Sequence, residues 1–129
     1  MEYQESLTPT AAQVSKLREA QGTGVAKLSK LLHISQSSYK DVERGVTAMP
    51  YQIFELMMLK KNHRGLRLAG GPSASWLASV RKGLKIDTYT AGALIYSTAA
   101  QWTDWEKGHA DMPIQWYELF QLKAGLVVQ

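Results

Sequence analysis

The side chains of this protein that can do chemistry are hydrogen-bond donors and paired charges rather than nucleophiles. The stretch "QSSYKDVER", residues 36–44, carries an amide, a hydroxyl, an ammonium and a guanidinium at Gln36, Ser37, Lys40 and Arg44. Tyr39 and Val42 lie three residues apart within it, the spacing of a buried helical stripe, so those four and Asp41 face the other way. Asp41 and Glu43 recur as Asp104 and Glu106 in "TDWEKG". No catalytic constellation is legible. The chain has no P-loop, no dinucleotide-binding glycine pattern, no HExxH and no cysteine nucleophile. Its histidines, His33, His63 and His109, sit in unrelated settings. The expectation is a binding protein rather than an enzyme, with no cofactor and no metal.

The elements that must position these residues come twice. Sliding the chain by 63 residues aligns its two halves without a gap. Arg18 meets Arg81, Glu43 meets Glu106, Gly45 meets Gly108, and Met49-Pro50 meets Met112-Pro113. The matched Pro, Gly and Glu are not helix-period residues, so two unrelated amphipathic stretches are a poor explanation. Each copy reads as four helices. Thr8 caps the first and Pro9 takes its first position, with Val14 and Leu17 inward. The second helix turns Leu28, Leu31 and Leu32 inward. The third is capped by Ser35, and Gly45 ends it in a left-handed turn. Pro50 opens the fourth. In the second copy the inward residues are Leu77, Val80 and Leu84, then Ala91, Leu94 and Ile95, then Trp102 and Trp105. Thr98 and Gly108 bound its third helix, and Pro113 opens its fourth. No segment alternates strictly, so strands are not needed.

Composition narrows the class. A hydrophobic fraction of 45% supports a packed core. Cysteine is absent, which excludes a disulfide scaffold and a Cys-based zinc site. The stretch "MEYQESLTPT" has neither the basic nor the apolar region of a signal peptide, and no apolar run is long enough to span a bilayer. A cytoplasmic protein with no membrane partner is expected. The net charge of +4 sits in one half: residues 1–71 hold ten Lys+Arg against six Asp+Glu, and residues 72–129 hold five against five. The basic half suggests a polyanion partner.

In each copy a short helix, a tight turn and a second short helix precede Glu-x-Gly and a proline. The first copy, "LREAQGTGVAKLSKLLHISQSSYKDVERG", resembles the Xre-like helix-turn-helix family of phage repressors and Cro proteins. It does so through Leu17-Arg18, the Ile34-Ser35 entry to the third helix, and Glu43-Arg44-Gly45. The second, "VRKGLKIDTYTAGALIYSTAAQWTDWEKG", resembles it more loosely. Its "WTDWEKG" ending is also faintly similar to autoregulators encoded beside anti-CRISPR genes. The resemblance implies an all-α chain of two tandem four-helix helix-turn-helix units. These would be residues 1–62 and 72–129, joined by a basic, glycine-rich linker at 63–71. The implied function is sequence-specific binding of double-stranded DNA as a transcriptional regulator, a repressor or autoregulator of a phage, plasmid or other mobile element. The alternative is a protein-binding module, such as an antitoxin or adaptor, on the same fold. Two departures stand out. Gly24-Val25 and Asp87-Thr88 replace the family's usual Thr-Gln at the start of the second helix, and His33 and Tyr96 occupy the turn where Gly is common.

The resemblance also assigns residues. The third helix would enter the major groove with Gln36, Ser37, Lys40, Asp41 and Arg44 toward the DNA. In the second unit the matching positions are Ala99, Ala100, Thr103, Asp104 and Lys107, a poorer set of donors. A solvated face, or a degenerate repeat kept for packing, is the competing reading there. Lys60, Lys61, Arg64 and Arg67 would reach phosphates or an adjacent minor groove; a plain solvated linker is the alternative. Arg18 with Glu43 and Arg81 with Glu106 are expected as structural ion pairs rather than DNA contacts. The fourth helices are apolar on more than one face, so they are expected to pack on each other or to form a homodimer. No small-molecule ligand is expected.

Overall fold

The fold is known from a computed structural model that describes residues 8–60 and 73–125. The chain divides into two compact units, residues 1–64 and 65–129. The described residues form helices and no strands. In the first unit these are α1 (Ala11–Gln21), α2 (Val25–Leu31), α3 (Gln36–Glu43) and α4 (Tyr51–Lys60). In the second they are α5 (Ala74–Gly83), α6 (Thr88–Leu94), α7 (Ala99–Lys107) and α8 (Ile114–Lys123). Each helix of the second unit starts 63 residues after its counterpart. Among the described residues no helix is long and apolar enough to cross a membrane.

Local chemistry explains the shared boundaries. The cap of α1 is Thr10, not Thr8. Its hydroxyl accepts from the Gln13 backbone N–H at 3.1 Å, and Gln13 Oε1 accepts from the Thr10 N–H at 2.8 Å. That reciprocal box satisfies two otherwise orphan donors, which a cap at Thr8 would leave unmet. Ser73, 63 residues on, caps α5. Ser35 and Thr98 cap α3 and α7. Both of these helices end in the same left-handed turn. Gly45 has φ 77° and Gly108 has φ 76°. The following amide donates back over five residues, Val46 to the Asp41 carbonyl at 2.8 Å and His109 to that of Asp104 at 2.9 Å. The turns between the second and third helices also match. His33 and Tyr96 hold φ 57° and 59°, although both carry a Cβ.

The core repeats residue by residue, with side chains of different size. Val14, Leu28, Leu32, Tyr39, Val42, Met49, Leu56 and Met57 are buried. So are their counterparts Leu77, Ala91, Ile95, Trp102, Trp105, Met112, Leu119 and Phe120. Leu28 shrinks to Ala91 while Tyr39 and Val42 both become tryptophan. Leu31 departs from expectation, since it is 39% exposed. Leu28 and Leu32, one turn apart, already take the inward line of a seven-residue helix, and Leu31 falls beside it. The apolar fourth helices differ from one another. In α8 five consecutive residues, Tyr117–Gln121, are buried, whereas in α4 only Ile53, Leu56 and Met57 are.

One matched position is tighter in the second unit. A Cβ on Gly92 would lie 2.8 Å from the Ser97 carbonyl oxygen and 2.9 Å from that of Thr98, both backbone atoms. Its counterpart Ser29 carries a side chain there, with a buried hydroxyl that finds no hydrogen-bond partner. Gly92→Ala is therefore expected to destabilise the second unit by about 1–3 kcal/mol. Ser29→Ala should leave the first unit unchanged or slightly more stable. All four tryptophans lie in the second unit, so denaturant titration followed by their fluorescence isolates the first effect.

Candidate nucleic-acid interface

The third helix of each unit is fixed by one guanidinium. Arg18 Nε donates to Glu43 Oε2 at 2.6 Å and its Nη2 to Oε1 at 3.2 Å, a forked pair between α1 and α3. Its Nη1 donates to the Thr23 carbonyl at 3.4 Å. Arg81 repeats all three bonds, to Glu106 Oε2 at 2.5 Å, to Oε1 at 3.1 Å and to the Ile86 carbonyl at 3.1 Å. Trp102 Nε1 also donates to Glu106 Oε2. At the matching place the Tyr39 hydroxyl is buried beside the Glu43 carboxylate, and burial first, then that carboxylate, pushes its pKa up. Both glutamates titrate below their ordinary range. The bond from the arginine is the main cause, and partial burial opposes it.

With α3 held in this way, its outer face is set. Tyr39 and Val42 are buried, while Gln36, Ser37, Lys40 and Arg44 are exposed and Asp41 is half-buried. Arg44 Nη2 donates to Asp41 Oδ1 at 2.7 Å, an exposed pair within one turn of chain. Gln36 also lines an open groove of about 570 Å³ with Ala26, Lys27, Lys30 and Ile34. Lys27 and Lys30 are exposed cations of α2 that the sequence reading did not select; their signal was a three-residue spacing on the polar side of that helix. The face thus brings Lys27, Lys30, Lys40 and Arg44 against a single carboxylate, Asp41. Lys60 donates from Nζ to the Leu31 carbonyl at 2.6 Å, at the end of α2. Lys61, Arg64 and Arg67 lie outside the described residues.

The matching face of the second unit has exchanged its cations. Lys27, Lys30 and Lys40 become Thr90, Ala93 and Thr103; Gln36 and Ser37 become Ala99 and Ala100. Ala93, Ala100, Asp104 and Lys107 are exposed, and Ala99 and Thr103 are half-buried. The Thr103 hydroxyl donates to the Ala99 carbonyl at 2.8 Å, so it is spent within its own helix. Asp104 Oδ1 lies 3.7 Å from His109 Nδ1. Lys123, the counterpart of Lys60, stands 4.6 Å over the Tyr96 ring. Among the described residues no group of three or more His, Asp or Glu side chains is placed to hold a metal ion. Comparison with protein-family models, with curated proteins and with solved structures finds no match for this chain.

The clamps predict a pH dependence. A carboxylate whose pKa falls on folding stabilises the fold fully above its unfolded pKa and loses that contribution as pH drops through the folded one. Glu106→Gln should cost about 1–3 kcal/mol at neutral pH. It should also flatten the acid limb of the stability curve below the ordinary carboxylate range. Tryptophan fluorescence during acid titration checks both.

Proposed function

We propose that the chain is a sequence-specific, double-stranded DNA-binding transcriptional regulator, a repressor or autoregulator built from two tandem helix-turn-helix units. The observation that carries this reading is the exposed row on α3. Gln36, Ser37, Lys40 and Arg44 lie on a helix held by a forked ion pair, beside the lysines of α2. Their chemistry suits a major groove. A glutamine amide pairs with adenine in bidentate fashion, serine serves either bonding partner, and lysine and arginine suit guanine or phosphate. The lysines of α2 supply the backbone contacts that fix register without reading sequence. The second unit offers the same scaffold a second time, so one chain supplies two half-site readers, a task that otherwise takes a dimer. A homodimer through the apolar fourth helices is the competing assembly.

A protein-binding module, an antitoxin or adaptor, is the second reading. One observation favours it: Tyr89 on α6 is a large side chain that is 71% exposed. The two readings separate on one variant. Lys40→Ala with Arg44→Ala should lower affinity for a duplex enriched by the full chain about tenfold or more, with the thermal melt unchanged. Unaltered DNA affinity in a folded double variant would favour the adaptor.

A further inference from the structure

We propose that the second unit reads thymine through its 5-methyl groups, so that the two half-sites are recognised by different chemistry. This rests on the reading that the chain binds duplex DNA. Three observations converge on the second unit's face. First, α7 starts and is N-capped at the positions that match α3, and the Arg81–Glu106 clamp holds it as Arg18–Glu43 holds α3. Second, the groups that would bond base edges have become methyls, Ala99 for Gln36 and Ala100 for Ser37. Third, Thr103 stands where Lys40 stands in the first unit, and its hydroxyl is bound to the Ala99 carbonyl. The remaining group on its Cβ is a methyl. Three consecutive contact positions therefore present carbon and no free donor.

In the major groove the feature that matches such a face is the thymine methyl, the apolar group that distinguishes that base edge. A face of this kind gains by excluding water from methyl against methyl, without desolvating a donor that then goes unpaired. It also has little phosphate attraction of its own, since Lys107 and Asp104 are the charged side chains among the five matched positions. The cations of the first unit then supply most of the salt-dependent affinity, and the second unit adds a choice of base.

Uracil in place of thymine removes the 5-methyl and leaves every hydrogen-bonding group, so it tests this directly. The probe is a synthetic duplex that the full chain has enriched from a random pool. Deoxyuridine then replaces thymidine in one half-site at a time. Each substitution under the second unit should weaken binding about fourfold, and substitutions under the first unit should have little effect. Thr103→Val keeps a methyl and should retain the sensitivity at its base. Thr103→Ser keeps the hydroxyl alone and should lose it. A second half-site that lacks thymine, or one whose uracil form binds equally well, overturns the proposal while leaving DNA binding intact. Recovery of only one half-site overturns it as well, and points to a protein partner for this face. No enriched duplex at all overturns the regulator reading and this one together.

Discussion

The arrangement of each unit depends on one guanidinium meeting one carboxylate. Arg18 and Arg81 each close three segments at once: the first helix that carries the arginine, the turn that follows it, and the third helix through its glutamate. Partly buried pairs of this kind lose hydration on folding, so their net contribution to stability is smaller than their geometry suggests. Their value is directional. A forked contact fixes the rotation of the third helix about its axis, and that rotation decides which side chains face out. Everything about the two outer faces follows from this orientation.

Around that constraint the two units have diverged in separable ways. The interior changes side-chain size without changing layout, as the smaller Ala91 and the larger Trp102 and Trp105 replace Leu28, Tyr39 and Val42. The turn positions keep their backbone even where glycine is absent, as at His33 and Tyr96. The outer face keeps one acid and one cation, Asp104 and Lys107 for Asp41 and Arg44, and loses its lysines and its glutamine. Three lysines on it become threonine, alanine and threonine, while the helices beneath start at matching residues. Scaffold and face answer to different constraints, and that explains a chain whose two halves repeat so closely in Pro, Gly and Glu and so little in surface cations.

Much of the helical layout was legible in the sequence because it rests on local signals. The matched spacing, the third-helix caps and the glycine turns all act within a few residues. The Thr8 reading shows the limit. "TPT" offers two hydroxyls, and only Gln13, three residues past Thr10, decides between them. Leu31 shows another limit, because a two-turn helix has room for one buried line and apolar character alone does not choose it. The site was less legible. The bond from Thr103 to Ala99, the Arg44–Asp41 pair and the placement of Lys60 on the Leu31 carbonyl depend on rotamers and neighbouring segments. The groove lysines of α2 carry no motif of their own, only a three-residue spacing on the polar side of a seven-residue helix.

The central claim is that one chain carries two readers of the same build and different chemistry. Hydroxyl-radical footprinting of the full chain on an enriched duplex, with the mass of the complex from light scattering, tests it most directly. The account predicts one chain per duplex and two protected segments of unlike sequence. Two chains on two identical half-sites, or no protected segment, would contradict it.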